Sequence, residues 1–342
     1  MVCVVITKKN GVSIALCTYN GQSYLKEQLD SIAAQSQLPD ELVICDDRST
    51  DNTIAIATEF AKNAPFLVRI FENETTLMVT KNFEKALQLC QHDLVFLCDQ
   101  DDIWYKTKIQ ELSDFLVKNP EYDVVFSNAD LIDANAELLN EQLWDKLRFW
   151  DLQQKQWVQG YSTEVLLQGN RVTGCTVAFR RSFLAHILPF PTHIPVFIHD
   201  TWIAMAASVQ NKVQLYPAVL TGYRQHANQQ VGVRPKEARF VTFRERLTRN
   251  HDQKLAPIVA DRDYWQLVYD TVSQYIPNAS GLVVIEQKLI YLKMRSTLPA
   301  NRFLRIAPVL KHLFNGNYFK YADQEAGNKG GILTFLADIL EG

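Results

Sequence analysis

Through roughly the first 130 residues, short apolar runs alternate with segments whose apolar residues recur at helical spacing. The runs lie at 13–17, 42–45, 67–71, 94–98 and 124–126, lengths suited to strands buried on both faces. Between the first two, Tyr24, Leu25, Leu29, Ile32 and Ala33 share one helical face, and Pro39 stops the helix. Ser49-Thr50-Asp51-Asn52-Thr53 is dense in N-capping types and opens a second helix that runs to Pro65. Phe83, Ala86, Leu87 and Cys90 mark a third; Ile109, Leu112, Phe115 and Leu116 mark a fourth, ended before Pro120. This alternation predicts an α/β fold with a mostly parallel central sheet flanked by helices.

From about 130 to 170 the period fades, and Trp144, Phe149, Trp150, Trp157 and Tyr161 stand close together. Such aromatic faces either stack on sugar rings, as a lid over an acceptor, or pack as ordinary core. Regularity returns with a strand at 176–179, a helix over 200–209 and strand-like runs at 212–216 and 219–223. Beyond about 230 strand alternation is lost and Arg and Lys interleave with helically spaced apolar residues. A catalytic domain over 1–230, with halves at about 12–130 and 170–230, followed by a helical region over 231–342, is the expected division.

Composition narrows the function classes. The 342 residues are 47% hydrophobic and 21% charged, enough for one large core or two modest ones. A formal charge of -3 and a pI near 6.2 exclude a uniformly basic surface, so no nucleic-acid partner is expected. The first residues lack the order of a secretory signal, and no apolar run reaches the roughly 18 residues that a spanning helix needs. A cytoplasmic protein is expected. The six Cys include no CxxC pair and are expected to be reduced, buried thiols.

The acidic residues carry the chemistry. Asp46-Asp47 follow the second apolar run at once, and Asp99-Gln100-Asp101-Asp102 follow the fourth. The carboxyl ends of parallel strands line the ligand crevice, so both clusters are expected to face one cleft. Carboxylates gathered there repel one another unless a cation compensates. Oxygen donors of this kind suit Mg²⁺ or Mn²⁺ bridging to a substrate's phosphates, which implies a diphosphate-bearing substrate.

These residues resemble the inverting glycosyltransferases of family 2, which have the nucleotide-sugar-binding GT-A fold. The likeness runs through Ala15-Leu16-Cys17-Thr18-Tyr19-Asn20-Gly21, Asp46-Asp47-Arg48-Ser49-Thr50-Asp51 and Asp99-Gln100-Asp101-Asp102, then Thr173-Gly174-Cys175, His199-Asp200 and Tyr223-Arg224-Gln225-His226. It implies that Thr18 and Tyr19, with Asn20 beside them, lie under the nucleotide, that Asp47 and Asp46 read its base or ribose, and that Asp99 holds the ribose side. Asp101 corresponds to the direct metal ligand, His226 to the residue completing the metal site, and Asp200 to the general base. Mn²⁺ or Mg²⁺ is the implied cofactor, and a His ligand favours Mn²⁺ somewhat.

Within the family, Tyr19-Asn20-Gly21, 25–32, 81–87 and Tyr223-Arg224-Gln225-His226 resemble bacterial rhamnosyltransferases that build surface polysaccharides. That likeness implies dTDP-L-rhamnose as the nucleotide-diphosphate sugar donor and a growing, lipid-linked glycan as the acceptor; a UDP-hexose is the alternative donor. Two departures stand out: Met78 and Arg48 occupy positions where such sequences usually carry Gly.

The reaction asks for the same roles. The metal offsets charge on the departing diphosphate, and a carboxylate takes the acceptor's proton. Asp200, at a helix start, suits that task, although a plain helix cap has the same position. A haloacid-dehalogenase-like phosphatase shares the Asp-x-Asp spacing but needs a Thr or Val at Ile103 and a later Asp pair after Gly. A nucleotidyltransferase needs a Gly-rich phosphate loop where only Gly11 and Gly21 occur. A non-catalytic sugar-binding protein would not need every catalytic position filled.

Two C-terminal segments are basic. Residues 231–250 hold Arg234, Lys236, Arg239, Arg244, Arg246 and Arg249 against two Glu, and 286–320 hold seven Arg or Lys against one Glu. In the second, Leu289, Leu292, Phe303, Leu304, Leu310, Leu313 and Phe314 interleave with Lys288, Lys293, Arg295, Arg302, Arg305 and Lys311. Either these helices pack on the rest of the chain with a solvated basic face, or they contact an anionic membrane from the inner side of the cell.

Overall fold

A computed structural model describes residues 10–226, 250–321 and 327–340. They fall into two units: 10–162 with 170–226, and 163–169 with 250–321 and 327–340. The N-terminal nine residues and the basic run 231–249 lie outside the described residues.

The first unit is built on a nine-stranded sheet of order β3-β2-β1-β4-β8-β6-β9-β5, with β7 paired to β6. The strands are β1 (Val12–Thr18), β2 (Glu41–Asp46), β3 (Leu67–Glu72), β4 (Leu94–Cys98), β5 (Ile103–Trp104), β6 (Val124–Ile132), β7 (Leu138–Gln142), β8 (Val177–Arg180) and β9 (Val213–Arg224). β3, β2, β1 and β4 are mutually parallel, while β8 runs antiparallel between β4 and β6. The register sets Thr18 beside Asp46 and Leu16 beside Cys98, so the chain leaves β1, β2 and β4 along one edge of the sheet. β9 runs parallel to β6 and pairs Gly222 with Ile103, which carries its end back to the loop after β4.

Every residue of β4 is buried, as the unbroken apolar run implies. Helices α1 (Leu25–Ala33) and α4 (Lys108–Lys118) pack Leu25, Leu29, Ile32, Ile109, Leu112 and Leu116 into the core over these strands. α2 (Thr53–Asn63) and α3 (Met78–Leu89) complete the crossovers. The aperiodic stretch takes the second of its two expected roles, core packing. It folds into α5 (Leu143–Lys146) and α6 (Asp151–Val158), with Trp144, Phe149 and Trp157 buried around Phe126 at ring separations of 5.0–5.9 Å. These are core side chains and not an acceptor lid; of the five aromatics only Trp150 and Tyr161 are exposed. α7 (Ser162–Leu166), α8 (Leu184–Ile187) and α9 (His199–Ser208) follow.

The second unit is helical: α10 (His251–Tyr275), α11 (Leu282–Ser296), α12 (Arg302–Phe314), α13 (Asn317–Lys320) and α14 (Gly327–Leu340). A capping box between Asn250 and Gln253 opens α10. Tyr291, Leu298, Val309 and Tyr318 form its buried cluster, with Leu313, Phe335 and Ile339 packed on it. Several cations expected on a solvated face lie inside instead. Lys288 donates to Leu167 O at 2.7 Å and sits over the Trp265 ring, Arg295 pairs with buried Asp338 at 2.7 Å, and buried Arg305 donates to Pro299 O and Ala300 O. A cation removed from water needs such partners, so these residues hold helices together.

Candidate active site

The two acidic loops differ in how their carboxylates are used. After β2, Asp46 is buried and accepts from Thr18 Oγ1 at 2.7 Å, Ser49 N at 2.7 Å and Ser49 Oγ at 2.6 Å. Asp47 accepts from Asn73 Nδ2 at 2.8 Å and from the amides of Leu77 and Met78 at 2.7 and 2.9 Å, where α3 begins. Backbone amides at a helix start are natural partners of a carboxylate. Both groups therefore spend much of their bonding capacity inside the protein.

After β4 the carboxylates crowd one another. Asp99 is pushed well above the ordinary carboxylate range, first by burial and then by the charges of Asp102, Asp101 and Asp200. Asp102 is pushed up to about 7 by burial and by Asp101. One of its oxygens accepts from Arg224 N at 3.0 Å, while the other has no hydrogen-bond partner among the described residues. Asp101 Oδ2 meets His226 Nε2 at 2.8 Å. Arg224, fully buried at the end of β9, fixes this loop: its Nε donates to Asp101 O at 2.7 Å, and its guanidinium pairs with Glu27.

Beneath the loop lies Lys108, fully buried at the start of α4 and pulled down to about 8 by burial. Its ammonium donates to Cys175 O and to Thr221 Oγ1, and lies 4.1 Å from the centre of the Trp104 ring. Donor atoms of Asp99, Asp102 and Cys175 all fall within 4.8 Å of one another. Burial and the neighbouring Asp102 and Asp99 charges push the Cys175 thiol well above its ordinary range.

The third component comes from α9. Asp200, in its first turn, accepts from Gly174 N at 3.0 Å through one oxygen and from Thr201 N at 2.5 Å through the other. His199 is buried against Phe83, rings stacked at 4.0 Å, and burial lowers its pKa. A Cβ on Gly174 would sit 2.9 Å from His199 Nε2, so the close approach of these two segments requires glycine there.

A cavity of about 420 Å³ collects these groups. Thr18, Tyr19, Asn20, Asp47, Asp99, Asp101, Asp200 and His226 all line it, together with Gln100, Gly174 and Tyr223. Asp46 does not; it stands behind Thr18 and Ser49 as a support. The sequence reading missed Lys108 and Gln100 as parts of the site. Lys108 is the one charged position at the buried start of an amphipathic helix. Gln100 sits inside the acidic motif and clasps Tyr19 through both its amide and its carbonyl, at 2.8 and 3.1 Å.

Residues 13–188, just over half of the chain, match the family described as glycosyl transferase family 2. The chain belongs to that family. It is 29% identical over 265 residues to the dTDP-rhamnosyl transferase RfbG of Shigella flexneri, spanning 73% of this chain and 86% of that protein. Among solved structures, S. aureus TarS 1-349 in complex with UDP-GlcNAc aligns with a TM-score of 0.54 at 15% identity, covering 96% of this chain and 81% of that one. The mannosyltransferase PcManGT from Pyrobaculum calidifontis, in complex with GDP-Man and Mn²⁺, aligns at 0.52 and 15% identity, covering 97% and 86%. Those likenesses carry the GT-A fold, and with the family they make this chain a glycosyltransferase that uses a nucleotide sugar.

In this family 2 glycosyltransferase the two departures from glycine have a visible cost. Arg48 and Met78 both adopt left-handed backbone, with φ of 67° and 63°. A side chain there costs roughly 1–2 kcal/mol, which explains the glycine usual in similar sequences. Both are exposed, and both adjoin the cavity-lining residues Asp47 and Val79.

Proposed function

We propose that this glycosyltransferase is inverting and metal-dependent, and that it moves L-rhamnose from dTDP-L-rhamnose to a hydroxyl of a growing, lipid-linked bacterial surface glycan at the inner face of the cell membrane. The observation that carries the reading is the convergence on one cavity of Asp99, Asp101, His226 and Asp200. The likeness to RfbG supports rhamnose as the sugar.

The donors that line the cavity fit a hard divalent ion: the carboxylate oxygens of Asp99 and Asp101 and one imidazole nitrogen in contact with Asp101. Asp101 and His226 would hold Mn²⁺ or Mg²⁺, which when bound offsets the negative charge developing on the leaving diphosphate. Thr18, Tyr19, Asn20 and Asp47 hold the nucleotide, with Asp99 toward its ribose and Asp46 stiffening the turn beneath. Gln100 ties the loop after β4 to Tyr19, and Arg224 ties the same loop to the end of β9. Asp200 accepts the proton of the acceptor hydroxyl as that oxygen bonds to the anomeric carbon; the bond from that carbon to the phosphate oxygen breaks, and its electron pair leaves with the nucleoside diphosphate. The amides of Gly174 and Thr201 aim the carboxylate while leaving lone pairs for the proton.

Nucleotide release from dTDP-, UDP- and GDP-sugars, with Mn²⁺, with Mg²⁺ and with chelator, tests this. Release from dTDP-L-rhamnose that stops in chelator is expected; turnover of a UDP-hexose alone overturns the donor. Asp200→Asn should lose about 10²–10⁴ in turnover while donor binding survives.

A further inference from the structure

Helix α12 of the second unit is turned inside out. Its interior face carries Arg305, Val309 and His312, while Phe303, Leu304, Ile306 and Phe314 are exposed, Phe303 to 83% and Phe314 to 84%. Positions 303, 306, 310 and 314 follow helical spacing, so they form one outward apolar stripe. Helix α14 packs against α12 and repeats the arrangement, with Phe335 and Ile339 inward and Ile332, Leu333, Leu336 and Leu340 exposed. Two neighbouring helices that each leave several large apolar residues in water mark a binding surface, because scattered exposure does not follow helical period.

Charge identifies what covers it. Arg302, Lys311 and Lys329 are exposed on the same two helices. Among the described residues of α12 to α14 the sole carboxylate side chain is Asp338, which is buried and paired with Arg295. Among the described residues the exposed acids of this unit, Asp252, Asp261, Asp263, Asp270 and Glu286, sit on α10 and α11. An apolar stripe edged by cations, with no exposed anion among the described residues of these helices, matches the interface of an anionic bilayer, with the apolar side chains among the acyl chains and the cations at the headgroups. No helix among the described residues is long and apolar enough to cross a membrane.

We infer that the outer faces of α12 and α14 seat the protein on an anionic lipid surface. This deepens the proposal of a lipid-linked acceptor by naming the surface: of the basic, apolar stretch over 286–320 it keeps α12 and leaves out α11, whose Leu289, Leu292 and Lys288 are buried, and it adds α14.

Flotation of the full chain with vesicles of phosphatidylcholine alone, or of phosphatidylcholine with phosphatidylglycerol, tests it. Co-flotation with the anionic vesicles, weakened by salt, is expected, and Phe303→Ser and Phe314→Ser should each reduce partitioning about tenfold. Both side chains are exposed, so the variants should melt like the parent protein. Nucleotide release with a water-soluble acceptor should not change in them, and that readout fails separately if the glycosyl-transfer reading is wrong. Absence of anionic-vesicle binding at low salt overturns the inference. So does a concentration-dependent dimer that the same substitutions abolish, since the occupant would then be a second copy.

Discussion

The loops after β2 and β4 leave parallel strands on either side of β1 at the same edge of the sheet, and each carries an aspartate pair. In the first, Asp46 and Asp47 accept six hydrogen bonds between them, from hydroxyls, a side-chain amide and backbone amides. In the second, Asp99 and Asp102 are driven up by burial and mutual repulsion, and one buried oxygen goes unpaired among the described residues. A satisfied carboxylate organises the protein around itself. An unsatisfied one is held against its preference by the surrounding structure, here Arg224 and Lys108.

The largest effect separates the two loops by activity. Asp101→Asn should lower turnover by about 10²–10³, because in the proposed mechanism it removes a charge that holds the metal, and thermal melting should be unchanged or slightly raised as repulsion falls. Steady-state kinetics with a melting curve on the same sample reads both. Normal turnover in that variant would show that the second loop is acidic for another reason.

Asp46→Ala should act the other way. It strands the Thr18 and Ser49 hydroxyls and the Ser49 amide in a buried turn, costing about 3 kcal/mol of stability, measurable by urea denaturation. A variant as stable as the parent would mean that Asp46 is no support.

How much of this was legible in the sequence follows the same division. The parallel core strands were readable because a strand buried on both faces is apolar without interruption, and their acidic exits because the apolar run stops so abruptly at Asp46 and Asp99. The Trp144–Trp157 segment was not, since its aromatics are buried by a fold of short helices with no long period to detect. Whether Asp46 or Asp47 reaches the cavity was equally hidden. Two adjacent aspartates look alike until Thr18 and Ser49 are known to face the first and the start of α3 the second. Arg305 and Lys288 read as surface cations because a sequence does not show the carbonyls that receive them.

Lys108 sharpens the comparison through pH. Its folded pKa of about 8 lies below its ordinary 10.5, so between those values the unfolded chain binds more protons than the folded one. Stability should therefore rise with pH across that window, because the penalty for burying the charged ammonium is present below about pH 8 and relieved as pH climbs through 10.5. Lys108→Met should flatten that slope in denaturation measured from pH 8 upward. An equal slope in the variant would assign the effect elsewhere.

The smallest effect lies at the strained edge of the first loop. Met78 holds left-handed backbone while its amide donates to Asp47 Oδ2, so Asp47 helps to hold the strained residue in place. Replacing Met78 with Gly relieves the crowding of Cβ but frees the unfolded chain, and the balance should leave the protein more stable by about 1 kcal/mol. A thioether that costs stability and stands 67% exposed next to cavity-lining Val79 is expected to serve the donor. Met78→Gly should therefore raise the donor KM several-fold with kcat little changed, read by nucleotide release at varied donor. A more stable variant with an unaltered KM would make the strain incidental, and Asp47 would then be as purely structural as Asp46.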